Sequence, residues 1–330
     1  MSMAKPKVFL TNPIDRVGYA ILKDIDIVTA SDPSQETLRR EIGDADAIIV
    51  RTQLPADIFA CGVRVRACVR HGTGLDLIPV DAATALGIPV ANVPAVNANA
   101  VAEYVVAQML LGARRLHRVD SMHRGESWAA ARKLADEATE LRGKRAGIVG
   151  VGAIGGRVAE ILHHGFGMQV LGYQRRLNAL PAFVTGMQLD ELLRAADYVV
   201  LACPLTPETR GLLDERRIGR LKKNAFIVNV SRGAVLDEPA LVAALRERRI
   251  GGAALDVYAT QPLPRDSELL RLDNAILSTH LAGLSAESLE AMSRVAGEET
   301  LRILAGDKPL NFCNPEVWEK SLARRKQLGF

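Results

Sequence analysis

Aromatic residues are scarce in this chain: Phe, Tyr and Trp make up 4% of its 330 residues. So thin a supply excludes a stacking platform for single-stranded nucleic acid. There is no large excess of either charge, with 42 Lys and Arg against 38 Asp and Glu, a net of +4. That balance excludes a binder driven by polyanion neutralisation. Cysteine is sparse as well. Cys61, Cys68, Cys203 and Cys313 form no CxxC pair, and a chain of this size needs no disulfide staples. They read as reduced, buried thiols of a cytoplasmic protein. The apolar run Val8-Phe9-Leu10 is too short for the hydrophobic core of a secretion signal, and no long unbroken apolar segment marks a membrane span. What is present is 48% hydrophobic and 24% charged residues, a composition that folds rather than staying disordered. The length suits about two domains.

Short aliphatic runs alternate with helical periodicity nearly throughout. In the first part they cover 7–12, 46–51, 67–71 and 89–93. In the second they cover 145–150, 169–173, 198–202, 225–230, 253–257 and 275–278. Continuous Val/Ile/Leu runs of this length mark strands of a parallel sheet buried on both faces. Helical stretches at 190–196 and 237–248 lie between them, and acidic residues open the second, as the helix dipole favours. The alternation predicts an α/β, doubly wound architecture with two such units. Residues 99–115 read as one long helix, and 116–142, more charged and containing Trp128, as a crossing segment.

The sharpest local motif is Gly150-Val151-Gly152-Ala153-Ile154-Gly155, between the run 146–149 and a helical pattern at 157–162. The first glycine permits a tight turn, the second lets a pyrophosphate approach the backbone, and the third lets helix and strand pack closely. In that setting the motif predicts a bound dinucleotide. An acidic residue that holds the adenosine ribose belongs about 20 residues on. Gln174 stands there, followed by Arg175 and Arg176. Glutamine removes the repulsion an Asp would exert on a 2′-phosphate, and arginines pair with one. NAD(P) is therefore the expected cofactor, with NADP(H) favoured over NAD(H).

Several stretches resemble the D-isomer-specific 2-hydroxyacid dehydrogenases, the family of phosphoglycerate, glycerate and formate dehydrogenases. They are His71-Gly72-Thr73-Gly74-Leu75-Asp76, Val101-Ala102-Glu103, the glycine loop, the run 204–211, Asn229-Val230-Ser231-Arg232-Gly233, Leu255-Asp256-Val257-Tyr258 and Thr279-His280-Leu281-Ala282-Gly283. They occur in the family's order from about residue 45 to 315. The resemblance implies two Rossmann-like parallel-sheet lobes, the nucleotide lobe inserted in the substrate lobe. Residues 1–96 plus 282–330 would form the substrate-binding lobe and 97–281 the dinucleotide-binding one. It also implies a homodimer joined through the nucleotide lobes and a site in the cleft between lobes.

Reduction of a 2-oxo acid needs a cation for the carboxylate, a hydride, and a proton for the new alkoxide. Arg232 follows the run 226–230, at a carboxyl end where α/β sheets place ligands. Its match to the family makes it the group that clamps the carboxylate and polarises the carbonyl. His280 follows the run 275–278 and matches the family's acid/base position, and histidine suits that task because it titrates near neutrality. Where the family usually carries a Glu before a Pro, this chain has Gln261. An amide orients the ring but supplies no charge, so the acid should weaken at lower pH than in Glu-bearing relatives. On the substrate side the resemblance points to Arg51, to His71, and to an anion nest of N–H groups at Gly72, Thr73 and Gly74. On the cofactor side it points to Ala153 and Ile154 for the pyrophosphate and to Cys203, Pro204 and Thr209 along the adenosine and ribose. Val230, Ser231, Asp256 and Gly283 would frame the nicotinamide.

No metal is expected. His163 and His164 are adjacent, so on a helix they point to different sides, and His117 and His123 read as structural. The leading function is reduction of a glyoxylate- or hydroxypyruvate-like 2-oxo acid by NAD(P)H. Phosphoglycerate dehydrogenase and formate dehydrogenase chemistry stand beside it, the latter because formate-oxidising relatives also carry Gln at that position. An NAD(P)-sensing corepressor is the alternative from another class. Neither nucleic acid nor membrane is expected as a partner.

Overall fold

The computed structural model of the chain describes residues 5–175 and 177–329. They divide into two compact units, one running to Asn97 and resuming at Ser285, the other spanning Ala98–Leu284.

In the first unit, β1 (Lys7–Leu10), β2 (Asp26–Thr29), β3 (Ala47–Val50), β4 (Ala67–Arg70) and β5 (Val90–Ala91) form a parallel sheet in the order β2-β1-β3-β4-β5. On β3, Ile48 and Val50 pack into one core while Ala47 and Ile49 pack into another. Both faces are thus covered, which is why the sequence shows a continuous apolar run rather than alternation. The longest helix of the unit, Ala286–Ala305, opens on a capping box. The Ser285 hydroxyl accepts from the Ser288 N–H, and the Ser288 hydroxyl accepts from that of Ser285. It closes on Gly306 in the left-handed conformation.

The second unit carries β6 (Arg145–Val149), β7 (Gln169–Tyr173), β8 (Val184–Gly186), β9 (Tyr198–Leu201), β10 (Phe226–Asn229), β11 (Gly252–Leu255) and β12 (Ala275–Leu277). All are parallel, in the order β12-β11-β10-β9-β6-β7-β8. The order reverses between β6 and β9, the switch point at which such sheets bind ligands beyond their carboxyl ends. The two units are the two Rossmann-like sheets that the alternation implied.

Two strands escaped the sequence reading, β2 and β8. Both are sheet edges, partly exposed along their length, so neither needs a continuous apolar run. Several runs also overreach their strands. The run 253–257 outlasts β11 because Asp256 and Val257 stay buried after the ladder ends. The segment 116–142 holds two helices, Leu116–Gly125 and Trp128–Lys133, and a short 3₁₀ turn. Arg115, at φ +52°, separates them from the long helix Ala98–Arg114. The helix after the glycine loop spans Ala153–Glu160 and passes into a wide π turn, Ile161–Gly165, that carries His163 and His164. Among the described residues no helix is long and apolar enough to cross a membrane, and no three acidic, His or Cys side chains gather as metal ligands would.

Candidate active site

The glycine loop leaves β6 beside the end of β7, where the Gly150 N–H donates to the Tyr173 carbonyl at 2.8 Å. Gly150 sits at φ +94°, and a side chain there would lie 2.7 Å from the Cys203 backbone. A side chain at Gly155 would lie 2.0 Å from the Gly150 carbonyl oxygen. These two glycines let the loop close on itself. Gly152 differs, because a Cβ there would meet nothing within 4 Å. It is the N-cap of helix Ala153–Glu160 and offers no capping side chain. The opening N–H groups of Ala153 and Ile154 therefore have no intrahelical acceptor. A bare helix N-terminus with open space over it fits a pyrophosphate.

Gln174 follows the last residue of β7, and Arg175, exposed, comes next. Arg176 lies outside the described residues. Glu208, on the loop after β9, holds its carboxyl below the usual range. The hydrogen bond with Thr206 is the largest cause and the Arg175 charge a smaller one. The sequence reading did not see this acidic neighbour of the arginine. Within the same loop, the Thr209 hydroxyl donates to the Pro204 carbonyl at 2.7 Å and accepts from the Thr206 N–H, so it staples the loop. Cys203 is buried, its thiol pushed up by that burial, and its carbonyl accepts from the Ser231 hydroxyl at 2.5 Å. A protonated, buried thiol is no nucleophile.

Three neighbouring strand ends carry the polar groups expected to act. After β10, the fully buried Asn229 shapes the turn. Its amide oxygen accepts from the Ser231 N–H at 3.1 Å, and its amide nitrogen donates to the Arg232 carbonyl at 3.2 Å. Val230 and Arg232 are half-buried there, and the Arg232 guanidinium donates to the Ser231 carbonyl at 2.7 Å. After β11 come Asp256 and Gln261, and after β12 comes His280, exposed and at φ +57°. The His280 Nδ1 stands 3.0 Å from the Gln261 Oε1. An amide oxygen only accepts, so Nδ1 carries the hydrogen in this contact.

The turn that bears His280 hangs on Asp256, which is 2% exposed. The Asp256 carbonyl accepts the His280 N–H at 2.9 Å, Oδ1 accepts that of Leu281 at 2.8 Å, and Oδ2 accepts that of Ala282 at 2.9 Å. Gly283 closes the turn, half-buried. Asp256 was expected to frame the nicotinamide; its carboxylate binds the chain instead, and no sequence signal pointed to that.

In the first unit, Arg51 directly follows β3, with its side chain donating to the Pro13 carbonyl. The turn His71–Gly74 is held by Arg70. Its guanidinium donates to the Gly74 carbonyl at 3.1 Å, that of Val50 at 2.8 Å and that of His71 at 2.7 Å. Sequence reasoning passed over Arg70. Gly72, at φ +141°, donates its N–H to the Arg70 carbonyl, so the nest narrows. The N–H groups of Thr73 and Gly74 donate to no acceptor among the described residues. His71 was expected to line the site, but its ring is 3% exposed with Nε2 2.8 Å from the Ser293 hydroxyl. Burial, with the Arg51 charge second, lowers its pKa to about 3. The ring is a neutral buried prop under the turn, and only the backbone remains to meet an anion.

Comparison with known proteins is consistent with this architecture. The family model described as "D-isomer specific 2-hydroxyacid dehydrogenase, NAD binding domain" matches residues 106–282. A glyoxylate reductase of Thermofilum pendens is 35% identical, covering 96% of this chain and 96% of its own. A D-3-phosphoglycerate dehydrogenase of Methanocaldococcus jannaschii is also 35% identical over 97% of this chain, which spans only 62% of that longer protein. The crystal structure of an NADPH-dependent glyoxylate/hydroxypyruvate reductase from Sinorhizobium meliloti, in complex with NADP and malonate, superposes with a TM-score of 0.82. It is 25% identical and covers 94% of this chain and 97% of its own.

Proposed function

The chain belongs to the D-isomer-specific 2-hydroxyacid dehydrogenase family, and we propose that it reduces a small 2-oxo acid, of the glyoxylate or hydroxypyruvate class, to its D-2-hydroxy acid. The observation that carries this reading is the His280–Gln261 hydrogen bond of 3.0 Å, on turns next to the one that bears Arg232. The unit Ala98–Leu284 acts as the nucleotide lobe, a little beyond the 97–281 expected, and the unit that runs to Asn97 and resumes at Ser285 acts as the substrate lobe. When bound, NAD(P)H supplies the hydride. Gly150, Gly152, Ala153, Ile154 and Gly155 would hold its pyrophosphate, Cys203, Pro204 and Thr209 its adenosine side, and Val230, Ser231 and Gly283 its nicotinamide side.

Arg232 clamps the substrate carboxylate and polarises the adjoining carbonyl. In the substrate lobe, the N–H groups of Thr73 and Gly74 and the Arg51 guanidinium would be the anion-binding groups. His280 delivers a proton from Nε2 to the alkoxide as it forms, and takes it back in the oxidative direction. Gln261 orients the ring without charging it. NADP(H) is favoured because Gln174 replaces the repelling carboxylate and Arg175 stands beside it, and the Sinorhizobium meliloti reductase is named for NADPH. The protein works as a cytoplasmic homodimer. An exposed Trp128, at 68%, supports the dimer, and light scattering checks it.

The test is a panel of 2-oxo acids with NADPH and NADH, followed by loss of reduced-nicotinamide absorbance. Turnover of glyoxylate or hydroxypyruvate that falls at least a hundredfold in Arg232→Ala supports the reading. No turnover across the panel sinks it. Gln261 also suits formate oxidation, which needs no proton donor, and formate-dependent reduction of NAD(P)+ separates the two.

A further inference from the structure

His280 occupies a left-handed backbone conformation, φ +57°, that a residue with a side chain adopts only when its surroundings over-determine it. The constraint comes from Asp256, whose carbonyl and two carboxylate oxygens take the N–H groups of residues 280, 281 and 282. That arrangement works only if the carboxylate itself is held in plane and in place. A fourth bond does so, from the Ser278 hydroxyl to Asp256 Oδ1 at 2.6 Å.

The Ser278 hydroxyl has one hydrogen. With it spent on Asp256, the oxygen can only accept from its other neighbour, the Tyr104 phenol at 2.5 Å. The chain of bonds therefore has a direction, from Tyr104 to Ser278 to Asp256. Tyr258 fixes the same point from the other side by donating to the Ser278 carbonyl at 2.6 Å. Tyr104 comes from helix Ala98–Arg114, so the phenol ties the turn to a separate element.

We propose that Tyr104 is a positioning residue for His280. Its phenol completes the Asp256 shell through Ser278 and holds the imidazole at the angle that proton transfer requires. The phenol is half-buried and pushed up by that burial to about 12, so it remains a donor across the working range. The inference rests on the acid/base role given to His280 above, and its test separates the two.

Tyr104→Phe removes one oxygen and keeps the ring. In oxo-acid reduction we expect kcat to fall about tenfold, the scale of one lost buried hydrogen bond. KM for the substrate and Kd for NADPH should stay within about twofold, because neither the cofactor loop nor Arg232 is touched. Ser278→Ala should reproduce the loss, and the double variant should lose no more than either single one. The decisive arm repeats Tyr104→Phe in a His280→Ala background. If Tyr104 acts through His280, the residual rate there is unchanged. A further fall there, or a single-variant loss that appears in KM and Kd rather than kcat, overturns the proposal and leaves His280 in its role. If His280→Ala alone leaves kcat intact, the acid/base assignment fails and this inference fails with it.

Discussion

The His280 Nδ1 and the Gln261 Oε1 stand 3.0 Å apart, and this contact joins the turns after β11 and β12 through an uncharged partner. The amide places the hydrogen on Nδ1, as a carboxylate would. It brings no negative charge to the imidazolium.

Gln261→Glu should therefore raise the apparent pKa that limits oxo-acid reduction on the alkaline side. A neighbouring carboxylate stabilises the protonated ring. Both residues are exposed, so water screens the pair, and a rise of at most about one unit is expected. The pH profile of kcat/KM in wild type and variant measures it, and an unmoved limb contradicts the pairing.

The two ends of the glycine motif should respond differently. At Gly155 an added Cβ falls 2.0 Å from a backbone oxygen, which cannot move aside. Gly155→Ala should lower Tm without cofactor and abolish NADPH binding together. At Gly152 the space is empty, so Gly152→Val should leave Tm unchanged and weaken the NADPH Kd by about tenfold or more, from crowding of the ligand alone. Fluorescence titration and thermal melts on the same samples distinguish the two.

Glu208→Gln should increase the preference for NADPH over NADH by a few-fold. The carboxyl responds to the Arg175 charge, and removing it leaves the guanidinium to a 2′-phosphate. Arg175→Ala should move the ratio the other way. Both effects should shrink at high salt, because the groups are exposed. The ratio of kcat/KM values for the two cofactors is the readout.

His71 should make stability fall in acid. Its folded pKa, about 3, lies below the ordinary 6.5, so the native ring stays neutral while the unfolded one takes up a proton. The stability linked to this group is fully present above pH 6.5 and is lost as pH drops toward 3. The slope is at most about 1.4 kcal/mol per unit. Between about pH 5 and 6.5 carboxylates of ordinary pKa contribute little. Denaturant unfolding over that window should show a slope in wild type that is lost in His71→Gln.

Much of the fold could be read from one residue to the next. Runs such as Ile48-Ile49-Val50 and Val199-Val200-Leu201 are local, and a strand buried on both faces has to be apolar at every position. The glycine loop was legible for the same reason: its chemistry is contained within six residues. Arg232 and His280 stood out through the short motifs around them. The edge strands β2 and β8 did not, since a half-solvated strand carries little hydrophobic signal.

The primary structure thus settled the alternating α/β plan and marked the glycine loop and the candidate reactive side chains. Folding decided which group each of them answers to. Tyr104 meets Ser278 across 174 residues, and His71 meets Ser293 across 222. Contacts at such separations have no period and no spacing rule, because they arise where two elements happen to pack. Whether a histidine is an open acid or a buried prop depends on that packing, through the water it admits and the partner it brings, and not on the residues beside it in the chain.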